Sequence, residues 1–191
     1  MKNIAIFASG SGTNAENIIK YFSTSKSIRV VLVLSNNPEA YVLIRAANFS
    51  IPSVFFDRAQ FYSPASVSGI LEKYKVDFIV LAGFLWLVPE ILLEKYSGRI
   101  INIHPALLPS YGGKGMYGDK VHKAVIAAKE KESGITIHYV NGKYDKGDIV
   151  FQAKCPVLES DSPETLAHRI HELEYRHFPA VIETLVEGLP G

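Results

Sequence analysis

Short continuous apolar runs alternate along this chain with stretches in which apolar residues recur every three or four positions. The runs 4–8, 30–34, 77–82 and 99–104 read as buried strands, and the stretches 15–22, 39–48 and 65–74 as amphipathic helices. A short strand is expected at 53–56 and a short helix at 89–96. Buried strands separated by helices predict a mostly parallel sheet with helices on both faces. Near residue 130 the pattern changes. Residues 134–140 alternate, with Thr136 and His138 on one face, and a turn-rich stretch leads to a second strand at 149–155. So few residues between two strands predict an antiparallel hairpin, expected at the edge of the sheet. Ser162 as N-cap and Pro163 in the first turn then open a long helix carrying His168, Arg169, His171, Glu174 and His177.

Composition narrows the functional classes. The 191 residues, 48% hydrophobic, suffice for one well-buried domain, expected to be a single α/β Rossmann-like unit over residues 1–191. Twenty basic and nineteen acidic residues give a formal charge of +1, so no overall field favours nucleic acid or an anionic membrane. No run nears the roughly 20 apolar residues of a membrane span, and residues 4–8 are too few for a signal peptide. The single cysteine, Cys155, excludes an internal disulfide and fits a reducing compartment, so a cytoplasmic protein is expected. Cys155 reads as a half-buried structural thiol, with activation by Lys154 as the alternative. No residue cluster has metal-ligand spacing, and no metal is expected.

Two stretches carry chemistry. Ser9-Gly10-Ser11-Gly12-Thr13-Asn14 follows a strand and opens a helix, an arrangement that lets the backbone approach an anion at a helix N-terminus. Its spacing also matches G-x-G-x-x-A, but a dinucleotide site needs a carboxylate about 20 residues on. The second strand ends in Ser35-Asn36-Asn37-Pro38, which has none. A tight turn without a ligand is the third reading. In Arg99–Pro109, Asn102 and His104 lie two apart on a strand and share a face, so both can donate hydrogen bonds to one developing oxyanion. Between these stretches, 83–89 is an apolar, aromatic loop, either core packing or a slot for a flat ligand. Residues 110–118 hold four glycines and suggest a mobile lid, whereas His122 on the following helix is expected at the surface.

In chain order, Gly10-Ser11-Gly12-Thr13-Asn14, Leu81-Ala82-Gly83-Phe84, Asn102-Ile103-His104-Pro105 with Leu107-Leu108-Pro109, and Asp145-Lys146-Gly147 resemble the folate-dependent formyltransferases. The resemblance covers nearly the whole chain. It implies formyl transfer from 10-formyltetrahydrofolate, as co-substrate, to the amine of glycinamide ribonucleotide in de novo purine biosynthesis. It assigns Asn102, His104 and Asp145 as a catalytic trio, with Asp145 raising the His104 pKa and assisting proton transfer. It puts the nucleotide on Gly12, Thr13, Asn14, Glu174 and His171, and the folate on Leu85, Trp86, Leu87, Val88, Asn102 and Tyr144. Arg58 and His138 are further candidates.

On this reading residues of about 1–100 serve the nucleotide phosphate and those of about 101–191 the catalytic and folate site. The partners are two small molecules, without nucleic acid or membrane, in a monomer or homodimer. Trp86 stands where many members carry arginine, and the loop 112–118 differs from their histidine-containing loop. A formyltetrahydrofolate deformylase, which uses water as acceptor and normally carries a regulatory domain before the glycine loop, is one alternative. A tRNA-directed formyltransferase with an extra C-terminal domain is a second, and a non-catalytic nucleotide-binding module a third.

Overall fold

Strand β1 (Lys2–Phe7) lies inside the sheet, flanked on both sides, because both of its faces are apolar. In the computed structural model, which describes residues 1–190, it pairs in parallel with β2 (Ile28–Ser35) on one side and β4 (Phe78–Leu81) on the other. The complete order is β3-β2-β1-β4-β5-β6-β7, with β3 at Ser53–Phe55, β5 at Ile100–His104, β6 at Glu132–Tyr139 and β7 at Ile149–Pro156. The first five strands are parallel, and β6 and β7 form the antiparallel hairpin with β7 at the edge, as the pattern predicted.

Alternation along β1 divides the core in two. Ile4 and Ile6 point into a cluster beneath α1 (Thr13–Phe22), α2 (Tyr41–Asn48) and the long helix α7 (Pro163–Glu187). Ala5 and Phe7 point into a second, aromatic-rich cluster under α3 (Arg58–Tyr62), α4 (Ser66–Lys73) and α5 (Glu90–Lys95). Helix α6 (Asp119–Ala127) packs beside α7 and completes the first face. Helix α3 has no counterpart in the sequence pattern. It is a single turn held by a capping box, in which Asp57 accepts from the Gln60 amide and Gln60 accepts from the Asp57 amide. Cys155 is buried, and burial pushes its thiol pKa up, as expected of a structural thiol.

Because β1, β4 and β5 run in parallel, the loops after them emerge at the same edge of the sheet. Chain order also reverses at β1, with β2 on one side and β4 on the other, so these loops diverge and leave a crevice. No helix among the described residues is long and apolar enough to cross a membrane.

Candidate functional site

The crevice is a cavity of about 580 Å³, and both ends of the chain build it. Its first wall is the glycine loop. Gly12 is the N-cap of α1 at φ 73°, and a Cβ there would lie 2.3 Å from Val42 Cγ2, so only glycine fits. The loop is tied down by the Val42 amide donating to the Gly10 carbonyl (3.1 Å) and Arg45 Nε to that of Ser11 (2.8 Å). The amide of Leu85 donates to Ser9 Oγ (3.1 Å), joining it to the loop after β4.

The second wall is the end of β5. Asn102 lies opposite His138 of β6, and His104 opposite Thr136, so four polar side chains share one face of the antiparallel pair. His138 Nδ1 donates to the Tyr139 carbonyl (2.8 Å), leaving Nε2 to accept from Asn102 Nδ2 at 3.1 Å. His104 Nε2 donates to the Tyr111 carbonyl (2.8 Å), and its Nδ1 lies 3.6 Å from Asp145 Oδ2. Asp145 sits at φ 52° in the loop between β6 and β7, where the Gly113 amide donates to its Oδ2 (2.9 Å). Its Oδ1 is 3.5 Å from both Asn102 Nδ2 and His138 Nε2.

The electrostatics correct one expectation. Burial lowers the His104 pKa, and this outweighs the opposing pull of the Asp145 charge and of the Tyr111 carbonyl. Asp145 therefore does not raise the His104 pKa above its ordinary value. Burial pushes Asp145 itself upward, but the nearby His138 and His104 imidazoles and the Gly113 amide together hold it below the usual carboxylate range.

The third wall is α7. Glu174 is buried, and one of its oxygens, Oε2, accepts from both Asn14 Nδ2 and His171 Nδ1 at 2.8 Å. The Glu174 hydrogen bond raises the His171 pKa. Gly12, Thr13, Asn14, Leu85, Asn102, His104, Tyr144, Asp145, His171 and Glu174 thus line one cavity.

The remaining folate candidates lie elsewhere. Trp86, Leu87, Val88 and His138 border a recess of about 50 Å³ that shares Asn102, Tyr144 and Asp145 with the main cavity. Leu85, 42% exposed, faces the main cavity, whereas Val88 is core. Trp86 packs on the rings of Phe56, Phe61 and Phe84, with centroids 5.8 to 6.4 Å away, so packing accounts for much of this loop. Arg58 lines neither cavity; its guanidinium lies over the rings of Trp86 (5.7 Å) and Tyr62 (5.5 Å). Among the described residues, no three of His, Cys, Asp and Glu are grouped to hold a metal ion.

Two features escaped sequence reasoning. His122 is not at the surface: it is 3% exposed and lines the cavity, because Val121 and Val125 turn that face of α6 inward. Thr136 Oγ1 donates to the Ala106 carbonyl (2.7 Å) and accepts from the Leu108 amide (3.0 Å) and Gln152 Nε2 (2.8 Å). This hydroxyl is fully used in bracing the loop that follows His104.

A family model described as formyl transferase matches residues 2–182. The chain is 41% identical over 192 residues to a chloroplastic phosphoribosylglycinamide formyltransferase of Arabidopsis thaliana, with 97% of this chain and 66% of that protein covered. It thus spans just under two thirds of the plant protein's length. A phosphoribosylglycinamide formyltransferase of Haemophilus influenzae is 38% identical, with 98% of this chain and 89% of the relative covered. The crystal structure of phosphoribosylglycinamide formyltransferase from Anaplasma phagocytophilum superposes with a TM-score of 0.89 at 35% identity, covering 98% of this chain and 87% of that one.

Proposed function

The chain belongs to the formyl transferase family, and on that premise we propose that it transfers a formyl group from 10-formyltetrahydrofolate to the primary amine of glycinamide ribonucleotide, a step of purine biosynthesis. The observation that carries the reading is the convergence of Asn102, His104 and Asp145 in the same cavity as the glycine loop. The acceptor is named from the relatives at 38–41% identity.

The chemistry follows from the donors available. The amine attacks the formyl carbon, forming a C–N bond and turning the carbonyl oxygen into an oxyanion. Asn102 Nδ2 is a neutral donor to that oxygen, fixed at 3.1 Å from His138. His104 offers an N–H that the Tyr111 carbonyl occupies in the free protein, so the oxyanion competes with a neutral carbonyl for it. A full negative charge wins that competition, since hydrogen bonds to ionised acceptors are about twice as strong. Asp145, held below its usual pKa, is ionised and receives the proton shed by the attacking nitrogen, directly or through a water. Collapse of the intermediate breaks the bond to the folate nitrogen, which leaves as tetrahydrofolate after taking up a proton.

The nucleotide end uses different physics. Free amides at the start of α1 and the Gly12 backbone suit the phosphate. No hydrogen bond reaches Glu174 Oε1, which leaves that oxygen to accept from ribose hydroxyls. The folate enters along Leu85 and Tyr144, with Trp86, Leu87 and Val88 shaping the adjoining recess.

The test is an assay with 10-formyltetrahydrofolate, with and without glycinamide ribonucleotide. Tetrahydrofolate release that requires the amine is expected. Equal release in its absence makes water the acceptor and overturns the assignment.

A further inference from the structure

Helix α6 turns an imidazole into the cavity and gives it nothing to bind. His122 is 3% exposed, accepts and donates no side-chain hydrogen bond, and has its Nδ1 sealed from solvent without a partner. More than nine in ten buried polar groups in folded proteins find a partner, because an unpaired one costs about 1–3 kcal/mol. One further orphaned buried atom borders the same cavity, Asn14 Oδ1, whose amide orientation is fixed by Nδ2 donating to Glu174. Across the cavity, the ring nitrogens of His104 and His138 are all engaged or aimed at Asp145. Unsatisfied groups therefore collect at the end lined by Asn14, His122, His171 and Glu174.

We propose that His122 is a specificity-determining residue that hydrogen-bonds the sugar-phosphate portion of the acceptor, beside His171 and Glu174. This rests on the proposed function and deepens it by adding a contact at the nucleotide end. The charged and titratable groups that act on His122 are His171 and Glu174 from α7, Asp119 from its own helix, and His104 from β5. Burial comes first among the influences on its pKa and lowers it, so the ring is neutral near pH 7, and with Nδ1 sealed its unpaired Nε2 is the nitrogen open to a ligand. A neutral imidazole suits a hydroxyl or an already solvated phosphate oxygen.

The test compares His122→Phe, which keeps an aromatic ring but removes both nitrogens, with His122→Gln, which restores an amide near the position of Nε2. For His122→Phe the KM for glycinamide ribonucleotide rises about tenfold, the value of one ordinary hydrogen bond. The KM for 10-formyltetrahydrofolate stays within twofold, and His122→Gln recovers most of the loss. Thermal stability of His122→Phe is equal to or above that of the wild type, because an unpaired buried nitrogen is gone. A purely structural histidine gives the opposite pattern, lower stability and an unchanged KM, and that result overturns the proposal. So does an equal effect of Phe and Gln on KM. Calorimetric titration with ribose 5-phosphate separates this from the underlying assignment. Weaker binding by His122→Phe than by wild type supports the sugar-phosphate contact whatever the acceptor amine, and equal binding overturns it. A wild type that binds ribose 5-phosphate but does not formylate glycinamide ribonucleotide overturns the proposed function instead.

Discussion

The two ends of the cavity are built by opposite rules. At the β5–β6 end the polar groups satisfy one another: Asn102 with His138, His138 with the Tyr139 carbonyl, His104 with the Tyr111 carbonyl, and Asp145 with the Gly113 amide. At the α1–α7 end Glu174 is paired, but Asn14 Oδ1 and His122 Nδ1 are left with no partner. A self-satisfied cluster is fixed in place before any ligand arrives, which is what a charge-stabilising site requires. The other end keeps unpaired groups that a ligand can reach, His122 Nε2 and Glu174 Oε1. The first arrangement favours rate, and the second favours selective binding.

Two substitutions separate these roles. Asp145→Asn keeps the volume and the contact with the Gly113 amide but removes the charge and the proton acceptor. On the proposed mechanism kcat falls by about 10²–10⁴, the usual span for a positioned acid–base group, while nucleotide KM changes by less than about threefold. Near-normal turnover would remove Asp145 from the mechanism. Gly12→Val attacks the other end. A Cβ there meets Val42 at 2.3 Å, and φ 73° costs a branched residue about 1–2 kcal/mol, so the loop must move away from the cavity. The expected result is about a tenfold or larger rise in nucleotide KM, with folate KM little changed. If both values move together, the two ends are not separable and the comparison fails.

Much of this was legible in the residues. Strand positions, the antiparallel hairpin and the placing of three loops at one edge of the sheet follow from apolar runs and from the rule that parallel strands emit their loops on one side. The parts that were not legible depend on distances between distant segments. Whether Asp145 raises or burial lowers the His104 pKa is a contest between a charge 3.6 Å away and the loss of water, and only the folded geometry sets the winner. Trp86 packs on Phe56 and Phe61 from the segment after β3 as well as on Phe84 of its own loop, so a loop residue reads as a ligand slot until its neighbours are known. His122 did leave a signal: it lies between Val121 and Val125 on the apolar stripe of α6, where a histidine is turned inward with its neighbours.

The smallest expected effect is the pH dependence of stability, and its sign sharpens the contrast between the ends. His104 and His122 both have folded pKa values depressed by burial, below the unfolded value of about 6.5. Between the folded and unfolded values the unfolded chain binds more protons, so stability rises with pH and falls as pH drops below about 6.5. His171 acts in reverse: its folded pKa is raised by Glu174, so its contribution is complete below about 6.5 and is lost as pH rises through the folded value. That contribution is the weaker, because the His171 side chain is 47% exposed and solvent screens the pair, whereas the two depressed histidines are buried. Asp145, also depressed, adds a further loss only near and below the ordinary carboxylate range. The melting temperature is therefore expected to be nearly flat above pH 7 and to fall from pH 6.5 towards pH 5. His122→Phe removes one of the two buried groups that resist protonation, so its curve should fall less steeply over the same interval. A wild-type melting temperature that climbs as the pH is lowered would mean that the half-exposed His171–Glu174 pair outweighs both buried histidines, and the argument that burial keeps His122 neutral would fail with it.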